Sequence, residues 1–491
     1  MSVQPNYEEL KFYGEQTFYK QTEVECRVNA SADIKNVVAV TGAAASVGEE
    51  IADGEVRYGG RVTFCVLYET AEGVPAKTEC GVEFTDKYEN TGASSVGYIN
   101  YTVTGAEARF VNGGYIIQAV VNAEINVNKV NTVNVLTGGD DLLCDLEEKE
   151  IKTLEESGKS ALQLDDEFDL AYPVKDVLMH TATICLSEVQ SGIGAIILDG
   201  TVFLSLTLLQ NNEKNVIVKE NRAIPFRLEA EMRSASPEMQ AAAFLSLSKC
   251  AIKVVVDEEK DTSAVIASFD MDCYGSVYSG KTVRLARDAY SVKNEVGVTV
   301  SGFTNRFVTA QYGTAEKISG STDHEFTDGA EIVAVVGERI ENVGLNADNN
   351  LISGVISATV IEASENGYSG KRAAVPFEVP FAGNKSTEYA ICAAIENFGY
   401  RLRNTLDFDA AIRFSVTEKV TEQYTAVSEI SVGDEKTEKT TAISVYIAKG
   451  NDTLWDVCKE LGVSAEVIAE LNPEVTFPLT GAERIIVYRN M

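Results

Sequence analysis

The chain has 491 residues, of which 42 are basic and 74 acidic, so its formal net charge is −32. This charge excludes nucleic acids and anionic membrane surfaces as partners, because both repel a strongly acidic protein. Hydrophobic residues make up 45% and charged residues 24% of the chain. These fractions are typical of a folded protein, and the length predicts about three domains.

One sequence pattern occurs three times along the chain. It opens with a Val-rich run, continues with a segment that starts at a glycine, and ends at a phenylalanine. The opening, glycine and phenylalanine residues are Val37, Gly60 and Phe84, then Val177, Gly200 and Phe226, then Ile332, Gly354 and Phe377. The opening residue precedes the glycine by 23, 23 and 22 residues, and successive glycines are 140 and 154 residues apart. Such an interval is the length of a whole domain rather than of a solenoid unit.

The residues within each copy are typical of β-strands. Short runs rich in Val, Ile, Thr, Phe and Tyr alternate with polar residues, as at 115–127 and 406–416, and such alternation buries one face of an antiparallel sheet. We therefore predict a mainly β protein with three tandem repeats, each sandwich-like or barrel-like. The predicted divisions are repeats at 1–157, 158–318 and 319–430, a flexible linker at 431–441 and a small module at 442–491.

The acidic segment at 138–157 contains enough apolar residues to be a helix or a pairing strand. The segment at 431–441 is polar and has no apolar periodicity, which is typical of a flexible linker.

The C-terminal module has a different pattern. A strand at 445–448 precedes Thr453 and Asp456, whose spacing predicts a helix capping box. A first helix ends at Gly462, and a second begins after Ser464 and ends at Asn472. The apolar residues of the two helices are Leu454, Val457, Cys458 and Leu461, then Val467, Ile468 and Leu471. A strand at 484–488 completes a β-α-α-β module.

This module resembles a LysM domain. The matching residues are Tyr446, Asp452, Thr453, Leu454, Trp455, Leu461, Gly462, Val463, Ser464, Leu471, Asn472, Pro473, Gly481, Ile485, Ile486 and Val487. In that family a groove lies between the loop after the first strand and the loop after the second helix. The resemblance implies a ligand or partner groove formed by Gly450, Asn451, Asp452, Thr453, Leu454, Leu471, Asn472, Pro473 and Glu474. Asn451 departs from the family, which usually has glycine there. We expect Trp455, at the mouth of the groove, to pack against helices rather than on a sugar.

The threefold pattern followed by this module resembles the clostridial spore-coat proteins that combine SPOCS repeats with a LysM domain. The match is partial, since Glu83 replaces the usual proline of the first copy, and the second and third copies lack the Leu-Tyr ending of the glycine strand. Residues 287–291 are also similar to the end of the family's repeat.

The resemblance implies a non-enzymatic scaffold of spore-coat or spore-envelope assembly, on the mother-cell side of the forespore surface. The LysM module would dock the polymerising ATPase of the coat basement layer, a coat morphogenetic protein. The SPOCS repeats would contact other coat proteins or further copies of the chain. As an alternative, the module would bind peptidoglycan through its GlcNAc-containing glycan, and the repeats would be spacers.

Few residues suggest catalysis or cofactor binding. The two histidines, His180 and His324, lie far apart without the spacing of metal ligands. Histidine is the usual general base and the commonest metal ligand, so we expect no enzymatic activity, no metal and no cofactor. The acidic groups at 165–169 and 270–272 do not fit a calcium loop and are interpreted as solvated strand faces or loops.

Residues 275–282 match the phosphate-binding loop of nucleotide triphosphatases. That loop requires a buried parallel strand before it and a helix after it. The preceding residues alternate as in a half-exposed antiparallel strand, so we predict a hairpin turn here.

The sequence also predicts a compartment. None of the nine cysteines forms a Cys-x-x-Cys pair, which predicts reduced thiols in a reducing compartment. No basic region followed by an apolar run begins the sequence, and no apolar stretch approaches about 18 residues. We expect a cytoplasmic protein without membrane insertion.

Overall fold

The computed structural model describes residues 3–488 except 30–33, 53, 90–91, 112–113, 213–214, 258, 323–329, 347–349, 385–386, 403–405, 437–442 and 482. Antiparallel strands dominate this part of the chain, which confirms the mainly β prediction. None of the helices in it is long and apolar enough to cross a membrane.

The first six strands form one structural unit. They are β1 (Gln4–Asn29), β2 (Ile34–Ala52), β3 (Glu55–Thr70), β4 (Pro75–Tyr88), β5 (Ser95–Val111) and β6 (Gly114–Asp140). They make two three-stranded sheets, in the orders β2-β3-β4 and β1-β6-β5. Apolar residues of both sheets, including Phe64, Ile99 and Ile117, are fully buried in one core. The unit is therefore a sandwich, with alternate residues of each strand facing inward.

The same pairing order occurs twice more. The second unit contains β7 (Leu143–Leu170), β8 (Val174–Ser191), β9 (Ala195–Gln210), β10 (Ile217–Glu231), β11 (Gln240–Asp257) and β12 (Thr262–Tyr290). The third contains β13 (Asn294–Thr322), β14 (Glu331–Asn346), β15 (Leu351–Ser364), β16 (Gly367–Pro380), β17 (Glu388–Leu402) and β18 (Leu406–Glu435). In each unit the second, third and fourth strands pair in order, and the sixth lies between the first and the fifth.

The glycine and phenylalanine of the threefold pattern face each other across neighbouring strands. Gly60 pairs with Phe84, Gly200 with Phe226, and Gly354 with Phe377. An added Cβ on each glycine would lie 2.7, 2.6 and 2.7 Å from the Cζ atom of the opposite ring. The ring thus covers a glycine that has no side chain of its own, a pairing that stabilises sheets.

The three units pack around a common centre. A β-bulge follows the opening residue of the pattern in each second strand, at Val37, Val177 and Ile332. The residues beside these bulges meet in one apolar cluster formed by all three units: Val38, Ala39, Leu67, Leu178, Met179, Leu209, Ile217, Ala334, Val336 and Ile361. A second cluster joins Phe12, Leu285 and Tyr424 from the long strands.

The contacts between units are cyclic. The fourth strand of each unit contacts the second strand of the next, as β4 with β8, β10 with β14, and β16 with β2. One of these contacts contains a buried ion pair, in which Lys219 Nζ lies 2.6 Å from Glu338, and Ser205 donates a 2.8 Å hydrogen bond to the same carboxylate. The three units therefore close into a ring within one chain.

The second and third units begin earlier in the chain than the sequence predicts, at Leu143 and Asn294. The predicted boundaries after residues 157 and 318 fall inside β7 and β13, which pair along their length with β12 and β18. The first five residues of the predicted linker, 431–435, belong to β18, so the linker prediction is wrong there; residues 437–441 lie outside the described part. These polar segments are strands because their partners satisfy the backbone and their charges face solvent.

Residues 275–282 lie in the middle of β12, where Gly275 pairs with Gly158 of β7. The predicted hairpin turn is therefore wrong, and the phosphate-loop geometry is equally absent from this segment. Lys281, the lysine of the motif, instead forms a 2.5 Å ion pair with Glu8.

The C-terminal module contains β19 (Ile443–Ile447), α1 (Leu454–Leu461), α2 (Ala465–Leu471) and β20 (Arg484–Tyr488). The two strands form an antiparallel sheet. Val457, Ile468 and Ile485 are fully buried between the helices and this sheet.

Candidate partner-binding site

The helices of the module begin and end where the sequence predicts. The Thr453 hydroxyl accepts the N–H of Asp456, and the Asp456 carboxylate accepts the N–H of Thr453, which confirms the capping box. Gly462 ends α1 in the left-handed conformation, with φ at 67°, as a C-terminal glycine does. Ser464 precedes α2 but makes no side-chain cap bond.

Hydrogen bonds join the first of the two loops that the LysM resemblance singles out to Leu479. Asn451 has a φ of 73°, a conformation that asparagine tolerates better than most residues, so it can stand where the family has glycine. Its N–H donates to the Leu479 carbonyl and the Leu479 N–H donates to the Asp452 carbonyl, both at 2.8 Å. The first loop is thus bonded to residue 479 rather than to 472–476.

Two of the polar side chains predicted to bind a ligand, those of Asp452 and Asn472, are used inside the module. The Asp452 carboxylate accepts the Tyr446 hydroxyl at 2.6 Å and the Lys449 N–H at 2.7 Å, and these hydrogen bonds lower the pKa of Asp452. The Asn472 amide accepts the N–H of Ile486 at 2.9 Å and donates to its carbonyl at 3.0 Å. Both side chains therefore stabilise the fold.

The remaining predicted groove residues differ in exposure. Leu454 and Leu471 are half-buried against the core of the module. The others are exposed and lie in or next to the two loops: Gly450, Asn451, Thr453, Pro473 and Glu474.

Trp455 packs against the second unit of the ring. Its Nε1 donates a 2.9 Å hydrogen bond to Asp288 at the end of β12, and its ring meets the Tyr290 ring edge-on at 5.0 Å. Lys459 forms a 2.6 Å ion pair with the same Asp288, and the Tyr290 hydroxyl donates to the Val463 carbonyl at 2.7 Å. The module is therefore docked on the ring through α1, a contact that the sequence analysis missed.

Asp288 is the polar centre of this contact. Burial alone would raise the pKa of its carboxyl, but the hydrogen bonds from Lys459 and Trp455 outweigh burial and lower the pKa below its usual value. The segment 287–291 stood out in the sequence only as a possible repeat ending, so its role in docking had no local signal.

The outer face of the β19–β20 sheet is exposed and mostly apolar, with Arg484 opposite Ile447 at one end. Ile443, Val445, Ile447 and Tyr488 are 55%, 54%, 73% and 57% exposed. The strand could be predicted from the sequence but this face was not, although the alternating Ile-x-Val-x-Ile residues indicate it. Contiguous apolar surface of this kind marks interaction sites.

The rest of the described chain offers weaker candidates. A cavity of about 110 Å³ lies where the three units meet, but its charged residues Glu15 and Lys419 pair with each other at 2.5 Å. Within the described residues, no group of three or more His, Cys, Asp or Glu side chains could hold a metal ion. His180 is half-buried in β8, where burial lowers its pKa, and His324 lies outside the described residues.

Comparison with known proteins adds no relative: no protein family, curated protein or solved structure matches this chain.

Proposed function

We propose that the chain is a non-enzymatic scaffold of spore-coat or spore-envelope assembly. In this proposal the three six-strand units are SPOCS-type repeats, and the C-terminal module is a LysM-type domain that docks a protein. The partner implied by the resemblance is the polymerising ATPase of the coat basement layer, met on the cytoplasmic, mother-cell side of the forespore surface. Other coat proteins or further copies of the chain would contact the ring.

The exposed apolar face of the β19–β20 sheet carries this proposal. Ile443, Val445 and Ile447 project from one strand of a module that is already docked by its opposite side. Apolar anchors of this kind supply most of the binding energy in protein–protein interfaces.

The module's polar groups favour a protein over a glycan. Free hydrogen-bonding side chains and an exposed aromatic ring favour sugar binding. Here Asp452 and Asn472 are bonded within the module, and Trp455 is covered by Tyr290. These three contacts support the scaffold over the peptidoglycan-binding alternative.

A scaffold also benefits from the ring. Three packed units present several surfaces in fixed relative positions, so weak contacts on one chain act together and raise the overall affinity. The docked module adds its apolar face to this array.

Direct binding between the purified chain and the purified coat-basement ATPase tests the proposal. Ile447→Lys places a second charge beside Arg484 on the apolar face and is expected to weaken binding by about 2 kcal/mol, or roughly 30-fold. Ile193→Lys is the matched control, because Ile193 is 90% exposed in the turn between β8 and β9.

The alternative predicts the reverse pattern. Saturable binding of peptidoglycan fragments, together with ATPase binding that is absent or unchanged by Ile447→Lys, would establish the glycan-binding function instead.

A further inference from the structure

The two edges of the β19–β20 sheet differ. On β20, the N–H and carbonyl of Ile486 point away from β19, and the Asn472 amide bonds both of them. Val445 is the register partner of Ile486, so its own N–H and carbonyl point away from β20 at the opposite edge. Among the described residues, no hydrogen bond to these two groups of Val445 is present. One edge is closed by a side chain and the other is open.

The pairing beyond the strands gives the same orientation. The Ala448 N–H donates to the Glu483 carbonyl, which continues the register of the sheet. Alternate residues of a strand point their backbone groups to the same side. The backbone N–H and carbonyl of Tyr446 therefore point toward β20. Those of Ile443, Val445 and Ile447 point toward the open edge.

The open edge lacks the usual protection against strand pairing. Natural edge strands carry lysine, proline or a bulge that discourages an added strand. β19 reads Ile-Ser-Val-Tyr-Ile, without charge or proline, and pairs with β20 without a bulge. Its outward side chains are the exposed apolar residues already described.

We infer that β19 accepts an extended segment of a protein partner as a third strand of the sheet. The inference deepens the proposed function and rests on it. Backbone hydrogen bonds to Val445 and its neighbours would give affinity, and alternate apolar side chains of the added strand would lie beside Ile443, Val445 and Ile447.

The charge around the edge selects a basic segment. Residues 443–488 contain seven acidic and three basic residues. The hydrogen bond to Asp452 and burial raise the pKa of Tyr446, the fourth residue of β19, and the negative charges of Asp452, Glu460 and Asp456 raise it further. The segment that fits therefore alternates β-branched apolar residues with lysine or arginine.

Synthetic peptides test this mode of binding on the full-length chain. The probe is a short fluorescein-labelled peptide of alternating lysine and valine, compared with a glutamate–valine peptide and with a lysine–proline peptide that cannot pair as a strand. We expect saturable binding of the lysine–valine peptide alone, measured by fluorescence anisotropy. Hydrogen exchange of the Val445 and Ile447 amides should slow when it binds.

Val445→Pro removes the outward N–H while leaving the bonds to β20 in place. It should weaken lysine–valine binding about tenfold, the effect of one backbone hydrogen bond and its neighbouring contact. Val445→Thr keeps both the N–H and β-branching and should bind within about threefold of the unaltered chain.

Several results would overturn strand addition. These are equal binding of the glutamate–valine or lysine–proline peptide, unchanged exchange at Val445 in the unaltered chain, or dimers of the chain formed through β19. The proposed function is judged separately. If Ile447→Lys weakens ATPase binding and Val445→Pro does not, docking on the apolar face stands and strand addition is wrong.

Discussion

At the scale of single residues, the recurring glycine has a specific physical role. Gly200 lies under the Phe226 ring, and the same arrangement holds in the first and third units. A glycine in a strand weakens the strand by itself, but a ring that covers it recovers apolar contact. The similar spacing between this glycine and the phenylalanine in all three copies therefore reflects a contact between neighbouring strands.

Gly200→Ala should destabilise the protein by about 1–3 kcal/mol, because its Cβ would lie 2.6 Å from Phe226 and 2.8 Å from the Cys185 carbonyl. The free energy of unfolding in urea, followed by circular dichroism, measures this loss. Gly158→Ala is the control, since no atom lies within 4 Å of its added Cβ; it should change stability by no more than about 0.5 kcal/mol. Equal effects at both positions would contradict the ring-over-glycine explanation.

The docking contact at Asp288 should respond to acid. Because the folded pKa of Asp288 is lowered, its stabilisation is complete above the usual aspartate value of about 3.9 and is lost as pH falls through the lower folded value. Trp455 is the single tryptophan, so its emission reports the contact directly. We expect emission to stay constant down to about pH 3.9 and to change below it.

Asp288→Asn removes the charge that Lys459 pairs with. Its tryptophan emission should already differ at neutral pH and should lack the acid transition. An acid transition that survives in this variant would show that another group controls the environment of Trp455.

Sequence reasoning at this scale succeeds where the signal is local. The capping box joins Thr453 and Asp456, which are three positions apart, and the helix end depends on the backbone conformation of Gly462 alone. Both predictions are confirmed. The Trp455–Asp288 bond joins residues 167 positions apart, and no periodicity or spacing encodes such a pair. The bonds from Asn472 to Ile486 were missed because the end of α2 already explains an Asn-Pro pair at this position.

At the scale of elements, polarity alone proved a poor guide to loops. The segment 431–435, predicted as part of a flexible linker, belongs to a strand. The charged segment 143–157, for which a helix and a pairing strand were the alternatives, is also a strand. In β7 and β12, Glu148 pairs with Arg284 at 3.0 Å and Glu147 accepts a 2.7 Å hydrogen bond from Arg287. Cross-strand pairs of opposite charge stabilise an exposed sheet face, so a polar run can remain a strand.

The edge closed by Asn472 predicts a stability effect confined to the module. Asn472→Ala removes both bonds to Ile486 and should reduce module stability by about 1–3 kcal/mol. Faster hydrogen exchange at the Ile486 amide would report this loss, with the strands of the ring unchanged. Glu474→Ala, two positions along and exposed, is expected to leave exchange unaltered; an equal effect there would mean that the loop rather than the amide pairing matters.

At the scale of the whole molecule, the units depend on one another through buried contacts. Glu338→Ala leaves Lys219 unpaired where its side chain is 15% exposed. Breaking a buried ion pair from one side costs about 3–5 kcal/mol. Urea unfolding of the full chain should show a loss in this range.

The paired replacement Lys219→Met with Glu338→Leu is the informative comparison. It removes both charges and fills similar volume, so its stability should lie close to that of the unaltered chain. If the double variant is as unstable as Glu338→Ala, the carboxylate has a structural role beyond neutralising Lys219.

The mainly β class could be predicted because alternation of apolar and polar residues is repeated in almost every strand. The cyclic packing could not. Val38, Leu178 and Ala334 are buried between units, yet in the sequence they are ordinary apolar residues of strands that already have a core to bury. Whether such a residue is buried in the core of its own unit or between units depends on bulges and on the shape of the packed surfaces. The periodicity of a strand indicates neither.

Joining the three units in one chain has a consequence for stoichiometry. A homotrimer built from one such unit would present every surface three times. Among the described residues, the side chains of this ring that hold the module belong to the second unit, through Asp288 and Tyr290. Covalent linkage therefore lets equivalent units diverge and fixes one docked module, with one open strand edge, to each ring.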